Sequence, residues 1–125
     1  MYTISLQHNL TVAHVLPFES APENTVHTHR YTVEIIVDGP HLDDNGFLLD
    51  VIDLKQRLRR VTQHFEGRLL NEMEEFTQLV PTMETMAKVF WDALRVDLQD
   101  SAETLTVHVW EDPTTFAGFT GPVHG

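Results

Sequence analysis

The chain has 125 residues, of which 42% are hydrophobic and 9% aromatic. This composition predicts a single globular domain over residues 1–125 and excludes a disordered chain. Nineteen acidic against eight basic residues give a net charge of −11, which argues against nucleic-acid and membrane partners. No apolar run reaches the roughly 18 residues of a membrane-spanning helix, and the start lacks signal-peptide features, so we expect a cytoplasmic protein. The absence of cysteine removes disulfides, thiolate ligands and cysteine nucleophiles.

Strands and a loop are predicted in the first part of the chain. β-Branched and apolar residues predict a strand or a strand pair over Thr3–Val15, and two prolines predict a loop over Leu16–Val26. Alternating apolar residues predict a strong strand over His29–Val37, which Asp38–Pro40 ends. A short apolar run predicts a further strand over Phe47–Val51.

Two helices are predicted next. Asp53 is expected to cap the first, because aspartate favours that position and Gln56 follows three residues later, as in a capping box. Gly67 is expected to end this helix. Its apolar stripe is Leu54, Leu58, Val61 and Phe65. After an irregular stretch, Thr82 precedes a second helix. The apolar face of that helix is Met83, Met86, Ala87, Phe90 and Leu94.

The final part of the chain returns to strand patterning. Glu103–Glu111 alternates and predicts a strand, and a short strand is expected in the Gly- and Thr-rich residues that follow. Strands on both sides of two helices predict an antiparallel sheet with the helices on one face, an α+β fold. The open edges of such a sheet are usually covered, so an oligomer is expected.

Three histidines form the strongest chemical signal. His27 and His29 are two residues apart, so alternation along a strand places both imidazoles on one face. His14 lies on the preceding predicted strand, and an antiparallel return would bring it beside the pair. Three neutral imidazoles with an open fourth position are typical of a catalytic zinc site. Spacing alone leaves open the alternative that these are ordinary exposed strand residues.

The ordered motifs resemble the 6-pyruvoyltetrahydropterin synthase and 6-carboxytetrahydropterin synthase family. The segment His27–Tyr31 resembles the family's His-Gly-His-Asn-Tyr, and Gly46–Lys55 resembles its Gly-Met-Val-x-Asp-Phe-x-x-Leu-Lys. The other matching segments are Thr11–His14, Leu70–Asn71, Pro81–Glu84 and Val107–Glu111. The resemblance implies the tunnelling fold, a four-stranded antiparallel sheet with two helices. It also implies trimers that close a barrel and stack as hexamers, and a Zn²⁺ ion held by His14, His27 and His29.

The catalytic residues depart from the family pattern. The family's catalytic cysteine lies four residues before the His-x-His pair, where this chain has Glu23. The family's Asp-His pair falls at Glu66 and Gly67, so the aspartate has a substitute and the histidine does not. His64, two residues before Glu66, is the candidate to replace that histidine. The alternative for His64 is a solvated helix residue.

Glu23 changes the expected chemistry. A carboxylate, with a free pKa of about 4.3 against about 8.5 for a thiol, is the weaker base. It suits removal of a proton from a hydroxyl that zinc has acidified, which leads to carbon–carbon cleavage. A subgroup of the family with glutamate at the cysteine position is associated with that outcome, giving 6-hydroxymethyl-dihydropterin for folate synthesis. The resemblance therefore implies a zinc-dependent lyase acting on dihydroneopterin or its triphosphate. The alternative is a non-catalytic zinc- and pterin-binding homologue that has lost the catalytic residues.

Pterin recognition is assigned to three residues. A pterin presents an amidine-like N–H edge, which a carboxylate binds through two hydrogen bonds. Glu111 matches the family's pterin-anchoring glutamate. Thr82 and Glu84 are candidate contacts to the ring or to a neighbouring subunit, with helix capping as the alternative.

Overall fold

The computed structural model describes all residues, 1–125, as one four-stranded sheet with two helices on one face. The strands are β1 (Tyr2–His14), β2 (His27–Gly39), β3 (Thr104–Asp112) and β4 (Thr115–Pro122). The helices are α1 (Val51–Phe65) and α2 (Met83–Arg95), and two short 3₁₀ turns, Leu70–Glu72 and Glu74–Phe76, lie between them. The sheet order is β1-β2-β3-β4, and every pair is antiparallel, which confirms the predicted α+β class.

The core lies between one face of the sheet and the two helices. Alternation along β2 and β3 places the buried residues on the helix side: Tyr31, Val33, Ile35, Val37, Leu105, Val107 and Val109. In α2 the apolar face includes Trp91, whose indole Nε1 donates to the Leu105 carbonyl at 2.8 Å. Neither helix has the length and apolar content needed to cross a bilayer.

The start of the first helix differs from the prediction. Phe47–Val51 is not a strand, because Leu48 and Leu49 are both buried in succession and so do not alternate. The N-cap of α1 is Asp50 and not Asp53. The Asp50 carboxylate accepts from the backbone N–H groups of Ile52 and Asp53, at 2.9 and 3.2 Å. Asp53 instead pairs with Arg57 in the first turns of the helix.

The other predicted boundaries are close to those observed. The first strand is a single long one that ends at His14. Helix α1 ends at Phe65, and Gly67 follows with a φ of +72°, the left-handed conformation that glycine adopts most readily. Thr82 caps α2, and the final strand β4 is present.

Candidate active site

His14 and His27 form a cross-strand pair where β1 ends and β2 begins. They are register partners, and their ring centroids lie 4.5 Å apart. Both occupy helix-facing positions, because β1 has even residues and β2 has odd residues on that side. The pairing register therefore brings the imidazoles together without help from the loop that joins the strands.

Both rings of this pair are held in a defined orientation. The Nδ1 atom of His14 donates to the Pro81 carbonyl, and that of His27 donates to the Thr25 carbonyl, each at 2.9 Å. This assignment places the proton on Nδ1 and leaves a lone pair on Nε2 of each ring. His14 is 3% exposed, and its burial lowers its pKa from the usual 6.5. A neutral imidazole oriented through its second nitrogen is the usual state of a metal ligand.

His29 lies on the same face but has different partners. Its ring stacks on Tyr31 with centroids 4.5 Å apart, and its Nε2 lies 3.5 Å from the Glu111 carbonyl oxygen. The buried Tyr31 hydroxyl lies 3.3 Å from Nε2 of His14, so it connects His29 to the histidine pair. Burial, and then the nearby Glu111 carboxylate, raise the pKa of Tyr31 to about 12.

The fit of the three histidines to a metal ion is partial. As they stand, no three His, Asp or Glu side chains surround a single point as ligands would. The donor chemistry nevertheless suits a divalent ion, since two imidazoles are already adjacent and oriented. His29 is the exception, because its ring is engaged with Tyr31 and Glu111. It would have to turn about its side-chain bonds to join the other two.

The orientation of Glu111 depends on an irregularity in the pairing of β3 with β4. Trp110 pairs with Phe116 and Asp112 pairs with Thr115, so the register shifts at Glu111 and leaves it bulged. Glu111 is exposed and lines a cleft of about 330 Å³ together with Arg30 and Trp110, which lie on the face of the sheet opposite the helices. Bulges re-aim side chains next to binding sites, so this glutamate is well placed to meet a ligand.

Glu23 lies in the loop between the paired histidines. Its backbone carbonyl accepts from the Leu16 N–H at 2.8 Å, and its own N–H donates to the Ser20 carbonyl at 3.0 Å. The loop is thus closed, because the Glu23 backbone is bonded to Leu16, which lies two residues beyond His14 along the chain. The Glu23 side chain is exposed and makes no hydrogen bond within the chain.

Glu66 and His64 are engaged away from the histidines. The Glu66 carboxylate accepts from the Thr11 N–H at 2.9 Å, three residues before His14 on β1. His64 is half-exposed, and its Nε2 lies 2.5 Å from a carboxylate oxygen of Glu75. Neither side chain bonds to Glu23 or to the histidine pair, so their predicted catalytic roles stay predictions.

Thr82 and Glu84 begin α2. The Thr82 hydroxyl accepts from the Thr85 N–H at 3.2 Å, which is the capping role considered as the alternative. Glu84 is exposed in the first turn of the helix. Their proposed contacts to a pterin stay predictions.

Comparison with known proteins identifies the family. The model of the family described as 6-pyruvoyl tetrahydropterin synthase matches residues 3–122. The chain belongs to this family. A relative from Bacillus subtilis, 6-carboxy-5,6,7,8-tetrahydropterin synthase, is 34% identical over 123 residues, which cover 92% of this chain and 82% of the relative. The chain is thus related to pterin synthases.

Solved structures of 6-pyruvoyl tetrahydropterin synthases share the fold. The Caenorhabditis elegans protein matches with a TM-score of 0.78 and 21% identity, covering 96% of this chain and 95% of that one. A Plasmodium vivax variant, in which a catalytic glutamate is replaced by alanine, matches with a TM-score of 0.75 and 16% identity over 98% and 99% of the chains. The predicted tunnelling fold is confirmed.

Two residues beside the histidines were not predicted to have a role. Tyr31 belongs to the His27–Tyr31 motif, and its odd position on β2 was the signal that it shares a face with the histidines. Asn71 belongs to the Leu-Asn motif, and its side-chain amide bonds to the backbone of Val15. No local pattern indicates that partner, which is 56 residues away.

Proposed function

We propose that this member of the 6-pyruvoyl tetrahydropterin synthase family is a zinc-dependent pterin lyase. Its substrate is dihydroneopterin or the triphosphate of that compound, and its product is 6-hydroxymethyl-dihydropterin. The observation that carries the proposal is the His14–His27 pair, in which both Nδ1 atoms donate to backbone carbonyls, so that each Nε2 keeps a lone pair that can bind a metal ion. The glutamate at position 23 favours carbon–carbon cleavage over the pyruvoyl-forming reaction.

His14, His27 and His29 would hold Zn²⁺ in the proposed enzyme. When bound, zinc supplies Lewis acidity, which lowers the pKa of hydroxyl groups on the substrate side chain. Support comes from the donor set, because three imidazoles on one sheet face match the ligands of known catalytic zinc sites. Support also comes from the buried environment of His14, which favours the neutral ring that binds a metal.

Glu23 is the proposed proton acceptor. It takes the proton from the hydroxyl on the second side-chain carbon, and the bond between the first and second carbons breaks. The second carbon becomes an aldehyde carbon, while the electron pair moves to the first carbon and is delocalised into the C=N bond of the dihydropterin ring. Protonation of the first carbon then gives the hydroxymethyl group, so the step is balanced without an oxidant. The Plasmodium vivax relative with a catalytic glutamate supports this assignment.

Glu111 is the proposed pterin anchor. Its carboxylate can accept two hydrogen bonds from the amidine-like edge of the ring, and its backbone carbonyl lies 3.5 Å from Nε2 of His29, which places the residue beside the histidines. Thr82 and Glu84 are proposed as secondary contacts from the start of α2. Glu66 and His64 are proposed as partners of Glu23. In that role, Glu66 would give up its hydrogen bond from the Thr11 N–H, and His64 would give up its contact with the Glu75 carboxylate.

We further propose that the protein is a homo-oligomer, a trimer or a hexamer. The strand β4 has a neighbour on one side only, so its other edge presents unpaired backbone groups. Continuing the sheet into a second copy of the chain would satisfy these groups. Sedimentation or light scattering of the purified protein measures the state directly.

The test is product analysis by mass spectrometry after incubation of the zinc-loaded protein with dihydroneopterin or its triphosphate. We expect 6-hydroxymethyl-dihydropterin, and we expect Glu23→Ala to abolish its formation while zinc content is unchanged. Glu19→Ala is the matched control, because Glu19 is an exposed glutamate of the same loop. Unchanged turnover in Glu23→Ala would remove Glu23 from the mechanism. Pterin binding by calorimetry without any product would support the alternative, a non-catalytic zinc- and pterin-binding protein.

A further inference from the structure

The free side of β1 is covered by a segment that follows α1. In β1, residues with odd numbers direct their backbone groups away from β2 at the end of the strand. Gly67 N–H donates to the Thr11 carbonyl at 2.7 Å, and Ala13 N–H donates to the Arg68 carbonyl at 2.9 Å. We call this segment, Glu66–Asn71, the strap. The strap runs parallel to β1 and pairs with it at one position, where Leu69 lies opposite Ala13.

Asn71 continues this pairing where both strands stop. Val15 is the next odd-numbered residue after Ala13, so its backbone groups also face the strap and not β2. The Asn71 side chain supplies both missing bonds. Its Oδ1 accepts from the Val15 N–H at 2.8 Å, and its Nδ2 donates to the Val15 carbonyl at 3.0 Å. A primary amide reproduces the donor and acceptor of a peptide group, so it stands in for one strand residue.

The hydrogen bonds between Asn71 and Val15 also restrain His14, because His14 directly precedes Val15. His14 is held through its ring by the Pro81 carbonyl and through its strand by the pairing with His27. The amide of Asn71 adds the third restraint: its Oδ1 holds the N–H of the peptide group that joins His14 to Val15, and its Nδ2 holds the carbonyl of the next peptide group. Asn71 is half-buried, and its two bonds are the last fixed points before the loop that carries Glu23.

We propose that Asn71 is a positioning residue for the histidine site: it fixes the end of β1, and thereby the Nε2 atom of His14, in the orientation required of a metal ligand. The proposal rests on the zinc site proposed above. Groups that orient a ligand typically contribute about 10- to 100-fold to metal affinity. Because Asn71 acts on the backbone of the ligand and not on its ring, we expect an effect at the lower end of that range.

The experiment measures the zinc dissociation constant by competition with a chromophoric chelator, and the visible absorption of the Co²⁺-substituted protein. Asn71→Ala is expected to weaken zinc binding about tenfold and to alter the Co²⁺ spectrum. Gln99→Ala is the matched control. Its side-chain amide also accepts a backbone N–H, that of Asp50 at 2.9 Å, but at the start of α1. The control is expected to lose stability and to keep the wild-type zinc affinity.

The outcomes separate this inference from the proposed function. Wild-type protein that binds no zinc would refute the proposed metal site, and the inference with it. Wild-type zinc affinity and Co²⁺ spectrum in Asn71→Ala would refute only the positioning role, leaving Asn71 as a stabilising residue. If Asn71→Ala does not fold, Asn71→Leu takes its place, because it keeps a similar side-chain volume and loses both bonds to Val15. Unchanged zinc affinity in Asn71→Leu would then refute the proposal.

Discussion

The face of the sheet opposite the helices carries a hydrogen-bonded network centred on Glu34. One carboxylate oxygen accepts from His108 Nδ1 and from Trp110 Nε1, each at 2.9 Å, and the other accepts from Ser5 Oγ at 3.1 Å. The Glu34 side chain is 15% exposed, so its partners have limited access to water. Replacing Glu34 by alanine therefore removes the shared acceptor of three donors on the two neighbouring strands, β1 and β3.

The expected loss follows from these contacts. Each hydrogen bond to a charged group contributes about 1.5–3 kcal/mol when well shielded, and this cluster is only partly shielded. We therefore expect Glu34→Ala to lower the free energy of unfolding by about 2–4 kcal/mol, which for a chain of this size lowers Tm by about 8–16 °C. Glu34→Gln keeps one acceptor oxygen without the charge, and we expect a loss of about 1 kcal/mol.

The pH dependence gives an independent check on the same network. Burial alone would raise the pKa of Glu34, but hydrogen bonds from Trp110, His108 and Ser5 outweigh it and lower the pKa below 4.5. A carboxyl group with a lowered pKa stabilises the fold above its usual value, and the contribution is lost as the pH falls through the folded value. The wild-type free energy of unfolding should thus fall more steeply below about pH 4.5 than that of Glu34→Gln.

The assay is urea denaturation followed by circular dichroism at several pH values. Glu103→Ala serves as the control, because Glu103 is exposed and its side chain makes no hydrogen bond. Equal stability of Glu34→Ala and Glu103→Ala at pH 7 would show that the network contributes nothing. Parallel pH profiles for wild type and Glu34→Gln would show that the charge of Glu34 is not involved.

Three further predictions concern the helix cap, a tight contact and the buried histidine. Thr82→Ala should cost about 1 kcal/mol in urea denaturation, and Thr82→Ser should restore it, because a hydroxyl caps α2. Gly118→Ala should destabilise the protein by about 1–3 kcal/mol in the same assay, since the added Cβ would lie 2.6 Å from the His108 ring. The lowered pKa of His14 means that protonation favours the unfolded chain, so metal-free protein should lose stability as pH falls below 6.5; by NMR, the His14 pKa should lie below that of an unfolded-chain histidine.

The sheet was predictable because each strand has a consistent period. Alternation identified the strands and placed His27 and His29 on one face, as observed; at Glu111 a bulge interrupts the alternation. The start of α1 was not predictable, because Asp50 and Asp53 are both good N-caps and only the burial of Leu48 and Leu49 decides between them. Tertiary packing therefore selects Asp50 as the N-cap, and a local sequence pattern carries no information about that packing.

In the site, the sequence predicts only which residues share a face of the sheet, because that depends on odd and even positions along each strand. Parity and antiparallel pairing identify His14 and His27 as neighbours, and the structure confirms that they are. The orientation of each ring depends on carbonyl groups such as that of Pro81, which is 67 residues from His14. The engagement of Glu66 with Thr11 likewise joins positions 55 residues apart. Such long-range contacts depend on the tertiary structure, and no residue spacing in the sequence indicates them.

The histidine pair and Glu23 are fixed by different parts of the molecule. Pairing between β1 and β2 sets the distance between the imidazoles, whereas a loop of residues 15–26 carries the glutamate. Exchange of the part of that loop before Thr25 would therefore replace the proposed proton acceptor, while the strand pairing and the Thr25 carbonyl that orients His27 remained. A fold divided in this way can acquire a new reaction through changes in one short connection, which makes the loop a natural target for redesigning which bond of a substrate is broken.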